Sequence, residues 1–132
     1  MPVYVESVTQ PSPQDLTDLA KIYADAPDWL LAPYSSADTL IAAALADGSL
    51  IAGRFNDRLL GAALLERGEA CWRLSHLCVR KLTRKRGVGR RLLEETQRQA
   101  SEAGKPLRLA APAGHLEASA LAARTHLPLD PL

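Results

Sequence analysis

Ten consecutive residues from Leu82 to Arg91, LTRKRGVGRR, carry five basic side chains and two glycines. Glycine lets an anion approach backbone N–H groups closely, and guanidinium groups make charge-assisted hydrogen bonds to phosphate oxygens, so this mixture is suited to holding phosphate. Residues 80–98 contain eight of the sixteen Lys and Arg against two acids, Glu94 and Glu95, a local +6 in a chain of net +1. Charge gathered in one place fits a small, multiply charged anion better than a polymer. No aromatic side chains interleave the arginines, and the near-neutral total argues against nucleic acid. Neither standard nucleotide pattern is present: no Lys-Ser/Thr follows the second glycine, and a third glycine is missing. A glycine loop with a solvated basic face is the plainer alternative.

The elements around the loop decide how it is used. Residues 70–79, ACWRLSHLCV, read as a strand that runs into the loop, and a helix continues to about Ala103 before Gly104. Val88, Leu92, Leu93, Thr96 and Ala100 lie on one side of that helix as a core-facing stripe. Strand, glycine loop and helix together put unpaired N–H groups at a helix start. Basic residues there oppose the macrodipole by roughly 0.3–1 kcal/mol each, so their crowding calls for a bound anion.

The rest of the chain reads as one α/β domain over residues 1–132, with 47% hydrophobic residues to form its core. Residues 3–8 form a strand. A helix starts with Ser12 as N-cap and Pro13 in its first turn, shows Leu16, Leu19, Ala20 and Tyr23 on its apolar face, and ends near Pro27. A second helix covers about 37–46. Residues 49–55 and 58–68 flank Asn56-Asp57 as a β-hairpin. A short strand at 107–111 and a helix from Leu116 to about Arg124 precede a proline-containing tail. Cys71 and Cys78 sit too far apart along one strand for a disulfide, and the cysteines with His76, His115 and His126 show no metal-ligand spacing, so no metal is expected. The N-terminus lacks the pattern of a signal peptide and no apolar run reaches membrane length, which leads us to expect a cytoplasmic protein without membrane contact.

Arg84-Lys85-Arg86-Gly87-Val88-Gly89, preceded by Leu77-Cys78-Val79, resembles the Arg/Gln-x-x-Gly-x-Gly/Ala signature of the GNAT acetyltransferases. The resemblance implies a GNAT fold, an α/β (α+β) architecture with a mixed, mainly antiparallel sheet flanked by helices, here shortened at its C-terminus. It also implies acetyl-CoA (or CoA) as ligand, with the strand at Leu77, Cys78 and Val79 pairing with the pantetheine arm. Arg84, Lys85, Arg86, Gly87, Val88, Gly89 and Arg90 would then grip the phosphates. IAGRFNDRLLGAALL at 51–65, with LCVRKLTRKRGVGRRLLEE at 77–95, is similar to the PanZ/PanM subgroup, the maturation factors of aspartate 1-decarboxylase. That likeness implies an acetyl-CoA-dependent regulator whose partner is the decarboxylase proenzyme, contacted through Arg54 and Asn56. Asn56 is equally what a type I′ hairpin turn requires.

The alternative is an N-acetyltransferase acting on a small amine or a protein amine. Such an enzyme needs a general base and often an acid for the thiolate. The tyrosine that GNAT enzymes place in the last helix is missing, since Tyr4, Tyr23 and Tyr34 are all early, and His126 is a poor substitute in the tail. Glu69, Ser75 and His76 remain as candidate catalytic residues, with His76 expected on one side of its strand together with Leu74 and Cys78. Trp29 and Tyr34 occupy the stretch that lines the acceptor site in GNAT enzymes, or pack as core. Asp25 and Asp28 could attract a cationic amine, or simply face solvent.

Overall fold

The computed structural model describes residues 3–80, 87–111 and 116–131, the side chains of 116–118 excepted. Six strands form one sheet in chain order: β1 (Tyr4–Ser7), β2 (Leu50–Phe55), β3 (Arg58–Arg67), β4 (Trp72–Val79), β5 (Leu107–Ala111) and β6 (Leu129–Pro131). The pairs from β1 to β4 are antiparallel, and β4–β5 and β5–β6 are parallel. Helices α1 (Pro13–Ala24), α2 (Asp28–Leu31) and α3 (Ala37–Asp47) follow β1, α4 (Val88–Glu102) connects β4 to β5, and α5 (Leu116–Thr125) connects β5 to β6.

Alternation along the strands divides the core in two. Leu50 and Ala52 of β2 and Ala62 and Leu64 of β3 face Leu19, Ile22 and Tyr23 of α1 and Leu40 and Ala44 of α3. Ile51, Ala63 and Leu65 face the other way, against Val88, Leu92 and Leu93 of α4. Each fully buried Leu, Ile or Val contributes about 1.5–3 kcal/mol relative to leaving it exposed. Gly53 and Gly61 admit α4 closely, because a Cβ on Gly61 would stand 2.8 Å from Val88 Cγ1.

The apolar face of α1 differs from the expected one. Leu19 and Tyr23 are buried, but Leu16 is 44% exposed and Ala20 is exposed, while Asp15 and Asp18 turn inward. Their partners explain the rotation. Arg54 donates to both Asp15 oxygens at 3.1 Å, and Asp18 accepts from Arg58 at 2.7–3.1 Å and from the Leu59 amide at 3.1 Å. Asp18 is 1% exposed, and burial alone would raise its pKa, but these hydrogen bonds and one from Gln14 lower it.

The tail also differs. Leu129–Pro131 is a strand where the sequence pattern shows only a proline-containing tail, and it is anchored by Asp130, which accepts from Arg108 at 2.6–2.9 Å and from Arg73 at 2.8 Å. Those two guanidinium groups hold the Asp130 carboxyl well below the usual range. The four-residue α2 was likewise not foreseen.

Candidate functional site

Strand β4 is irregular where it matters. Leu64 pairs with Ser75 and Ala62 with Cys78, so β4 has one more residue than β3 over this step. The extra residue is a β-bulge at His76, whose φ of 56° lies in the left-handed region. For a non-glycine residue this costs on the order of 1–3 kcal/mol and persists only where neighbours enforce it. The bulge also inverts the alternation. Leu74 packs on the α4 face and Cys78 on the α1 face, where an unbroken strand would have put both on one side.

Four contacts hold the bulge. Tyr23 donates its hydroxyl to the His76 carbonyl at 2.8 Å, and burial pushes the Tyr23 pKa up. His76 Nε2 lies 2.7 Å from the Ala32 carbonyl and Nδ1 lies 2.7 Å from Ser75 Oγ. The Tyr34 ring is tilted against the imidazole, 5.5 Å away between centroids. A carbonyl can only accept, so Nε2 carries the proton and Nδ1 accepts from the serine hydroxyl. Burial pushes the His76 pKa down, which keeps the ring neutral near pH 7.

Just past this point the sheet opens. The β4–β5 ladder ends at Ser75 and Ala110, while β4 continues to Val79. Between the diverging strands lies a cleft of about 820 Å³. Its walls are Ser75–Val79 of β4, Leu109–Ala111 of β5, Ala24–Pro27 with Trp29 and Leu30, Leu121 and Arg124 of α5, and Gly87, Gly89 and Arg90 at the start of α4. An ion pair from Arg80 to Asp25, 3.8 Å long, spans one side.

The start of α4 is unlike the others. Ser12 caps α1 by accepting from the Asp15 amide while Asp15 accepts from the Ser12 amide, and Ser36 caps α3 through the Thr39 amide. Helix α4 has Gly87 at its N-cap with φ 81°, no side-chain cap and no acid in its first turn. Its arginines are engaged further along: Arg90 with Glu94, Arg91 with Glu95, and Arg98 with Glu95 and Glu102. Arg98 foremost brings the Glu95 pKa down to about 2.

The cleft therefore brings together Ser75, His76, Leu77, Cys78, Val79, Gly87, Gly89 and Arg90 from the residues singled out in the sequence, and Trp29 and Asp25 with them. Val88 is 1% exposed and belongs to the core. Arg84, Lys85 and Arg86 lie outside the described residues. Glu69 is exposed and outside the cleft walls, with its carbonyl accepting from Lys105. Asp28 and Tyr34 are not among the wall residues, and His126 is exposed in a left-handed turn. Cys78 donates its thiol to the Ile22 carbonyl and is packed in the core. Arg54 donates to Glu6, Asp15 and the Asp57 carbonyl, knitting β1, β2, α1 and the hairpin turn together. Asn56 and Asp57 both have positive φ, as a type I′ turn needs. Leu121 and Arg124 were missed because nothing in the helical pattern of α5 marks a wall of a cleft formed by distant strands.

Residues 2–129 align with the PanZ acetyltransferase (GNAT) domain. The chain belongs to the PanZ family. A PanD regulatory factor of Salmonella typhimurium is 38% identical over 87 residues, which are 66% of this PanZ-family chain and span 60% of that relative's length. Among solved structures, the ribosomal-protein-S18-alanine N-acetyltransferase of Escherichia coli superposes with TM-score 0.70 at 20% identity, covering 94% of this chain and 76% of the other. The PaiA N-acetyltransferase of Thermoplasma acidophilum, in complex with coenzyme A, gives TM-score 0.67 at 16% identity over 95% and 89% of the two chains. These two likenesses establish a GNAT fold. Among the described residues no helix is long and apolar enough to cross a membrane.

Proposed function

We propose that this PanZ-family protein is an acetyl-CoA-binding domain that regulates aspartate 1-decarboxylase, PanD, engaging its proenzyme when acetyl-CoA (or, less effectively, CoA) occupies the β4–β5 cleft. The observation that carries the reading is the cleft itself, which runs from an uncapped helix start to the β4 bulge. An anion at Gly87–Arg90 would receive the amides that no side chain caps, and Arg84, Lys85 and Arg86, just before them in sequence, would add positive charge. The strand at Leu77–Val79 would take the pantetheine arm, and its acyl end would reach Ser75 and His76. Similarity to a PanD regulatory factor supports the partner.

A regulator has no need of an acid for the departing thiolate. Tyr23 is buried and committed to the His76 carbonyl, which leaves it unfit for that role. On the partner side, Arg54 would fix the hairpin from within and exposed Asn56 would make the contact. Calorimetric titration of the protein into unprocessed PanD tests this, with and without acetyl-CoA. Binding that requires acetyl-CoA is expected, and it should weaken in Asn56→Gly, which keeps the positive φ. Binding in neither condition would contradict the regulator.

The second reading, N-acetyl transfer to an amine, is favoured by His76, a neutral imidazole at the cleft, with Asp25 and Trp29 also among its wall residues. CoA release that accelerates with a defined amine at saturating acetyl-CoA would establish it.

A further inference from the structure

We propose that Ser75 and His76 form an acylatable nucleophile–base pair, and that the protein slowly hydrolyses short acyl thioesters held in the cleft. The thioester part rests on the reading of the cleft as an acetyl-CoA site; the serine–histidine geometry stands by itself.

A hydroxyl becomes a nucleophile when a base lies within hydrogen-bond reach and a third group fixes that base. All three are present. Ser75 Oγ is 2.7 Å from His76 Nδ1, and Nε2, on the far side of the ring, donates to the Ala32 carbonyl at 2.7 Å. The carbonyl sets the tautomer, leaving the Nδ1 lone pair to take the serine proton. His76 is 5% exposed while Ser75 is half-buried in the cleft wall, so the base is sheltered and the nucleophile is reachable. The strained backbone at the bulge is what sets the two side chains together. Position agrees as well. From Val79 beside the α4 start back to Ser75 is roughly 13 Å of strand, a distance an extended pantetheine arm can span from phosphates held at Gly87–Arg90.

The chemistry balances without a redox partner. Ser75 Oγ bonds to the thioester carbonyl carbon as its proton passes to His76 Nδ1. The carbon–sulfur bond breaks, and sulfur leaves as the thiol with that proton. Water then gives a proton to Nδ1 while its oxygen bonds to the acetyl carbon. The ester bond to Ser75 breaks, the serine regains its proton from Nδ1, and acetic acid departs, ionising to acetate and a proton. The net reaction is thioester plus water to acetate, thiol and a proton, by which an acetyl-CoA-responsive protein would clear its own ligand.

The test treats the full chain with p-nitrophenyl acetate and, separately, with acetyl-CoA. Nitrophenolate release, CoA thiol release and intact mass are followed, and calorimetry measures acetyl-CoA binding. The expected result is a nitrophenolate burst stoichiometric with protein, an acetyl adduct mapped to Ser75, and CoA release without any amine. Ser75→Ala should abolish burst and adduct while still binding acetyl-CoA, and His76→Asn should slow acylation on the order of a hundredfold. Ser75→Cys, which keeps the size of the side chain, should retain an adduct should His76→Asn fail to fold. Bound acetyl-CoA with equal CoA release from wild type and Ser75→Ala, and no burst, would overturn the pair alone. An intact burst without acetyl-CoA binding would overturn the thioester claim and the ligand reading while leaving the nucleophile standing.

Discussion

Helices α1 and α4 lie on opposite faces of one sheet and begin in opposite ways. At α1 the chain supplies every partner itself: a capping box between Ser12 and Asp15, Arg54 and Arg58 on inward-facing carboxylates, and a proline at the first position. At α4 a glycine in the left-handed region takes the cap position, no carboxylate stands in the first turn, and a cleft opens beside it. The difference separates two uses of a helix start. Where internal groups satisfy the amides, the start contributes to stability; where no side chain caps them, as at α4, they are open to the outside anion proposed above.

Removing the centre of the α1 arrangement should have the largest effect. Asp18→Ala strips the acceptor from Arg58 and from the buried Leu59 amide and should cost about 3 kcal/mol of stability in urea unfolding, with acetyl-CoA affinity unchanged in the folded protein. Acid should weaken the same region next. The folded pKa values of Asp15 and Asp18 are lowered below 3.8, Asp15 chiefly by Arg54, so the unfolded chain takes up protons first. Their stabilisation is complete above that value and is lost as pH falls through the lower folded values. It should amount to no more than about 2 kcal/mol for the pair by pH 3, as read from unfolding midpoints against pH.

Giving α4 an acid like that of α1 should reverse the sign of its usefulness. Among the described residues no atom would lie within 4 Å of a Cβ at Gly87, and Asp is one of the side chains that enter the left-handed region, at some backbone strain, so Gly87→Asp has room. Its carboxylate would compete with phosphate for the free amides and weaken acetyl-CoA by on the order of tenfold, about 1.4 kcal/mol. The smallest effect is expected at the α1 cap, where Ser12→Ala should cost about 1 kcal/mol in stability and leave ligand affinity alone. Equal effects of the last two variants on affinity would erase the distinction between the two helix starts.

How much of this was legible depends on the range of the interactions. The α1 cap, the hairpin turn at Asn56-Asp57, and strand β4 followed by a helix that starts after Gly87 are written within a few residues, and were readable. The buried face of α1 was not, because Asp15 and Asp18 turn inward only when Arg54 and Arg58, some forty residues later, arrive to meet them. Arg54, which the resemblance offers as a partner contact, also commits its donors to Glu6, Asp15 and the Asp57 carbonyl, partners that lie far from it in sequence or in the turn it flanks. The bulge at His76 was hidden because one extra residue relative to β3 leaves no mark on β4 alone, and it reversed the expected grouping of Leu74 with Cys78. Strand β6 was missed because its hold is Asp130 gripped by arginines on two other strands.

The most direct test of the central claim, that the open start of α4 holds the ligand's phosphates, is a calorimetric comparison of acetyl-CoA with acetyl-pantetheine on wild-type protein and Gly87→Asp. Acetyl-pantetheine has the arm and the acyl group but no phosphate. The account predicts that wild type binds acetyl-CoA far more tightly than acetyl-pantetheine, and that Gly87→Asp weakens only acetyl-CoA. If the substitution leaves acetyl-CoA affinity unchanged, or weakens both ligands equally, the phosphates lie elsewhere and the account is wrong.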